Sequence, residues 1–170
     1  MFKENDLVMY GKVGVCRVSK IGVPDCISDE QNKKEYYFLE PLYHSGKFYA
    51  PTEGKIAIRP IISNRKAKSL ISGIQDMEYQ TFSSVSIQQL SQHYQGILDT
   101  HNCEEILSML KSIYAKGVEA GKNNKKLGQI DKRYMKRAEE LLFGEFACAL
   151  GKELEEIEKI VSDKLEASFS

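Results

Sequence analysis

The chain has 170 residues with 24 basic and 24 acidic side chains, so its formal net charge is zero, and 42% of its residues are apolar; an acidic disordered chain and a uniformly basic nucleic-acid binder are both excluded. The balance hides a gradient: residues 1–64 carry a net +1, residues 65–137 a net +5 and residues 138–170 a net −6, and surface potential follows local charge. Four cysteines (Cys16, Cys26, Cys103, Cys148) form no CxxC pair and have no nearby histidine at ligand spacing, which argues against zinc. Residues 1–6 have acids where a signal peptide needs a basic and then apolar run, and no apolar stretch approaches the roughly 20 residues that span a bilayer. Together these features predict a cytoplasmic protein with reduced thiols.

The first sixty residues read as strands, on alternation and turn cues. Leu7-Val8-Met9-Tyr10 is followed by a turn at Gly11-Lys12, and Val13-Gly14-Val15-Cys16-Arg17-Val18 is rich in β-branched residues. Residues 24–34 read as a polar loop. Glu35-Tyr36-Tyr37-Phe38-Leu39-Glu40-Pro41-Leu42 is aromatic and flanked by charge, as a strand of a small barrel would be. His44-Ser45-Gly46 suits a hairpin loop closed by a left-handed glycine. Lys47-Phe48-Tyr49-Ala50 returns, and Pro51 stops the strand or marks an edge.

After residue 63 the apolar period becomes helical. Ala67, Leu70, Ile71, Ile74 and Met77 form one stripe, capped by Ser63 or Asn64. Ile87, Leu90, Tyr94, Ile97 and Leu98 form a second. Asn102 and Glu105 open a third helix with a capping-box pattern, its stripe running Cys103, Ile106, Leu107, Leu110, Ile113 and Tyr114. Gly117 and Gly121 then punctuate, and residues 121–128 read as a basic loop. A fourth helix over about 130–150 carries Tyr134, Ala138, Leu141, Leu142, Phe146 and Ala149 inward and is broken by Gly151. The fifth turns Leu154, Ile157, Val161 and Leu165 inward. The expected architecture is α+β: an SH3- or Tudor-like five-stranded β-barrel over residues 1–63, then an all-α domain of about five helices over residues 64–170.

No catalytic set emerges. His44, His93 and His101 are scattered, and no phosphate loop, nucleophile elbow or dinucleotide fingerprint occurs. Gly11-Lys12-Val13-Gly14 lies between two strands rather than before a helix, so it reads as a turn. A binding protein without cofactor, metal or small-molecule substrate is the expectation, and not an enzyme. The stretch 111–137 is more informative, with nine cations opposed only by Glu119 and Asp131. Lys132, Arg133, Lys136 and Arg137 share one face near the start of the fourth helix, beside Lys125 and Lys126. Backbone N–H groups and the helix dipole add to such a charge, which makes a phosphate grip without base specificity; the alternative is a solvated helix face. On the hairpin, Phe48 and Tyr49 point to opposite faces, which puts one aromatic outside, next to Pro51, as a protein-docking anchor.

The order of these features resembles the CarD/CdnL family of bacterial RNA-polymerase-binding regulators, whose first domain is shared with the polymerase-interacting domain of transcription-repair coupling factor. Residues 2–10 with Gly14-Val15 look like the family's opening strand, and Glu35-Tyr36-Tyr37-Phe38-Leu39 and Lys47-Phe48-Tyr49-Ala50-Pro51-Thr52-Glu53 like its central hairpin. Ile58-Arg59-Pro60-Ile61-Ile62-Ser63 resembles the domain's exit; Lys132-Arg133-Tyr134-Met135, Ala138-Glu139-Glu140-Leu141-Leu142 and Gly144-Glu145-Phe146-Ala147 resemble its C-terminal helix. The resemblance implies a barrel that binds the RNA polymerase β subunit through Lys47, Tyr49 and Pro51. It also implies a helical domain that contacts promoter DNA at the edge of the transcription bubble, with basic contacts near Lys132 and Arg133; the charge pattern adds Lys125, Lys126 and Lys136 as candidate DNA contacts beside them. One feature departs from the family. Its members carry a wedging tryptophan, and this chain has none; Ile87, within Ser84-Val85-Ser86-Ile87-Gln88-Gln89-Leu90, takes that place. The alternative reading is a protein-interaction module that binds polymerase or another partner without touching DNA.

Overall fold

The computed structural model describes residues 1–11, 13–26, 34–55 and 57–170, and these divide into two compact units, residues 1–61 and 62–170. The expected polar loop falls mostly on residues 27–33, and the expected turn partly on Lys12; both lie outside the described residues.

The first unit is a five-stranded antiparallel sheet in the order β4-β3-β2-β1-β5. Its strands are β1 (Leu7–Tyr10), β2 (Gly14–Gly22), β3 (Tyr36–Pro41), β4 (Phe48–Pro51) and β5 (Ile58–Pro60). The fifth comes from the segment that the sequence marks only as the domain's exit. Gly11 (φ +40°) and Gly14 (φ +100°) bracket the reversal from β1 to β2, conformations that a Cβ resists. A register shift between Val18 and Lys20 interrupts β2; such a bulge bends a strand and increases its twist. β2 thereby pairs with β1 over its first half and with β3 along most of its length. The sheet is open rather than closed into a barrel: β4 and β5 are its two edges. Both are short, and both end in a proline that has no N–H to extend a ladder. Alternation turns Val8, Cys16, Val18, Tyr37, Leu39 and Ala50 into one core, with Phe2 edge-on to Tyr37 at 5.7 Å. Burial pushes the Cys16 thiol up to about 11, so it behaves as a small apolar group.

The second unit holds α1 (Asn64–Ser72), α2 (Ile87–Leu98), α3 (Cys103–Lys122), α4 (Gln129–Leu150) and α5 (Leu154–Ala167) around a separate core. Ser63, Ser86 and Asn102 cap the first three helices by accepting from the backbone N–H groups of Lys66, Gln89 and Glu105. Gly151, at φ +64°, ends α4 in the left-handed position. The stripe of α1 stops sooner than its spacing predicts: the chain turns at Gly73, and Ile74 and Met77 pack on the core from outside the helix. α3, by contrast, runs through Gly117 and Gly121, which the sequence reads as breaks. A helix interior tolerates a glycine at a cost of about 1 kcal/mol when its flanks are strong formers, and the buried stripe from Cys103 to Ile113 supplies more than that.

Candidate functional site: a cationic helix end and an aromatic sheet edge

In the sheet unit, the alternation that buries Tyr37, Leu39 and Ala50 turns Tyr36, Phe38, Tyr49 and Pro51 the other way. Tyr49 is 41% exposed, whereas Phe48 packs against the core. Tyr49 sits opposite Phe38 in the register and meets its ring edge-on at 5.0 Å. Lys20, opposite Phe38 on the other side, holds its ammonium 5.5 Å above the same ring. Lys47 and Pro51 are exposed at the two ends of β4. Among the described residues β4 pairs only with β3, so its outer backbone is free to accept a strand, and a ridge of Lys20, Phe38 and Tyr49 lies beside that edge. Lys20 and Phe38 are absent from the sequence expectation. Their signal was the two-residue parity that Phe38 shares with Tyr36, and their adjacency to Tyr49 depends on pairings that no local pattern reveals.

In the helical unit, three elements converge on one end. Residues 77–82 run alongside α3 in the same direction, since Met77 and Phe82 offer their carbonyls to Lys111 and Lys116 at 2.8 Å each. α2 then returns antiparallel: His93 stacks on Phe82 at 3.9 Å, and Ile97, one turn on, lines a cavity with Glu105 and Met109 nearer the start of α3. α4 is also antiparallel to α3, with Asp131 in its first turn 2.8 Å from Lys116. The start of α2, the end of α3 and the start of α4 therefore lie together. That end carries Val85 and Ile87 from one side and Lys122, Lys125, Lys126, Lys132 and Arg133 from the other, all exposed, with Lys136 and Arg137 one turn further along α4.

Ile87 departs from the stripe assigned to it. It is 68% exposed, as the first residue of α2, while Leu90, Tyr94 and Leu98 face the core. Val85, two residues earlier, is fully exposed and adds a second exposed aliphatic side chain ahead of α2.

The cationic stretch is also smaller at the surface than the sequence counts it. Lys111 is 3% exposed and donates to the carbonyls of Ile74 (2.6 Å), Gln75 (3.0 Å) and Met77 (2.8 Å). Burial holds its ammonium below the usual lysine range, partly opposed by Asp76. Lys116 is spent on Phe82 and Asp131. Neither faces a ligand. Asp131 is equally withdrawn: buried, it accepts from the Tyr94 hydroxyl at 2.5 Å as well as from Lys116. What remains outside is seven exposed cations against one exposed carboxylate, Glu119. The sole acid in the first turn of α4 is neutralised from within, so it does not oppose an anion approaching the helix start. Gly128, the cap residue, supplies no side-chain hydrogen bond to that turn, and helix-start N–H groups are donors to anions in general. Arg137 is oriented by Gln95 (3.3 Å) and by the Tyr134 ring, 5.1 Å away.

No helix among the described residues is long and apolar enough to cross a membrane. Residues 2–62 match the model of the CarD-like/TRCF RID domain. Comparison with the curated proteins finds no match. Over residues 2–62 the open sheet thus belongs to the CarD-like/TRCF RID family of RNA-polymerase-interaction domains.

Proposed function

We propose that the chain regulates transcription by binding the RNA polymerase β subunit along β4, through Lys47, Tyr49 and Pro51, and by gripping promoter DNA with the end of the helical unit. Lys125, Lys126, Lys132, Arg133 and Lys136 neutralise phosphates there, and Ile87 approaches the bases as an aliphatic wedge. The observation that carries the DNA half is the set of seven exposed cations in residues 111–137, a stretch that holds one exposed carboxylate, Glu119. Phosphate contacts of this kind fix position without reading sequence.

Reversing Lys132 and Arg133 to glutamate tests it. Binding to a promoter fragment with an unpaired fork should be lost, along with its steep dependence on salt, while capture of polymerase stays intact. Unchanged DNA affinity would leave the reading favoured by the missing tryptophan: a module that binds polymerase and a second protein.

A further inference from the structure

Resting on that DNA-binding reading, we infer that Lys116 is a positioning residue for the nucleic-acid site, joining its exposed aliphatic side chains to its cationic face. One ammonium reaches three elements. It donates to the Phe82 carbonyl at 2.8 Å and to Asp131 Oδ1 at 2.8 Å, and lies 3.5 Å from the Tyr94 hydroxyl. Phe82 stands three residues before Val85, and Asp131 stands immediately before Lys132 and Arg133. The ammonium thus ties the lead-in to α2 to the first turn of α4 through a span of a few ångströms. The clasp is largely buried. Tyr94 from α2 donates to the same carboxylate oxygen, His93 stacks on the Phe82 ring, and the Lys116 and Asp131 side chains are 15% and 7% exposed.

A buried ion pair of this kind adds little stability over an apolar pair of the same shape, but it fixes one geometry. The consequence lies in binding. Two contact sites held rigidly together present the second at high effective concentration once the first is engaged, and a loosened joint removes that advantage without removing either contact.

The test is a double-mutant cycle on a fluorescently labelled duplex with an unpaired end. Ile87→Ala and Arg133→Ala are measured singly and together, in the full chain and in a chain that also carries Lys116→Met and Asp131→Asn. Removing both charges avoids a stranded carboxylate and keeps an acceptor for Tyr94. In the parent chain the two effects should be coupled by a factor on the order of threefold to tenfold, as for sites that share a rigid support. In the clasp-free chain the factor should fall to about one, with the salt slope of binding unchanged because no phosphate contact is removed. Lys116→Arg, which keeps a cation between Phe82 and Asp131, should restore the coupling. Should the paired replacement not fold, Asp131→Asn alone serves in its place. Coupling that persists in a folded clasp-free chain overturns the positioning role. Loss of the DNA interaction's dependence on Lys132 and Arg133 would instead sink the DNA reading beneath it, so the two failures are distinct.

Discussion

Glu145, in the last third of α4 and 1% exposed, accepts a 2.9 Å hydrogen bond from the backbone N–H of Ile62, the residue with which the chain enters the helical unit. A carboxylate in a core is costly unless its lone pairs are used, and here it satisfies a backbone donor just ahead of the α1 cap. Asn64, two residues on, donates to the Ala149 carbonyl of the same helix, so the entry is held at two points on α4. Glu145→Ala should cost about 1–3 kcal/mol, the penalty of leaving a partly buried donor unmet. Glu145→Gln, which keeps an acceptor oxygen, should cost clearly less. Urea unfolding of the three proteins compares them, and equal midpoints for Ala and wild type would show that the bond contributes nothing.

Lys111 gives a second stability prediction. Its ammonium is the shared donor for three carbonyls in the turn after α1, and its charge lies 5.4 Å over the Tyr79 ring. Lys111→Met keeps the stem and removes the donors, so residues 74–79 should lose protection in hydrogen exchange, and the fold should lose on the order of 3 kcal/mol.

Tyr49→Ala removes an exposed ring, so the sheet should unfold at nearly its original midpoint, while affinity for the isolated β subunit should fall by a factor of ten or more, equivalent to about 1.4 kcal/mol or above, as for an aromatic anchor. Calorimetry on both proteins separates the two effects.

Burial, reinforced by Glu158 and Glu140, holds the Glu139 carboxyl above its ordinary 4.5. The native state therefore binds that proton more tightly than the unfolded chain. The stabilising contribution is present below 4.5 and is lost as pH rises through the higher native value. At neutral pH the ionised group works against the fold. Glu139→Gln should raise stability at pH 7 by less than about 1 kcal/mol, because the site is half in water and screened. In melts below the ordinary carboxylate range, the gain should vanish.

Much of the helical unit is legible because its signals are local. The Ser63 and Asn102 caps and the Ile157, Val161 and Leu165 stripe each need only a few neighbouring residues, and the structure contains all of them. The charge reading is harder. Lys111 and Lys116 look like members of a surface run, but their carbonyl acceptors lie 34 to 37 residues away in the segment before α2, and spacing along the sequence carries no trace of such partners. The same holds for Asp131, whose proximity to Lys132 and Arg133 suggests a surface acid until the fold buries it against Lys116. Ile87 looks like the first residue of an apolar stripe because periodicity does not mark where a helix leaves the core. Strands β1 to β4 follow from alternation, whereas β5 has three residues and depends on β1 for its definition.

The brevity of β4 has a consequence for solubility. An unpaired strand edge is a template for copies of the same chain, and long flat edges seed fibres. Here the ladder is four residues long, is preceded by a lysine and closes on a proline. Four residues closed by a proline give another copy of the chain too short a ladder to extend, so the length of this edge by itself works against polymerisation along it.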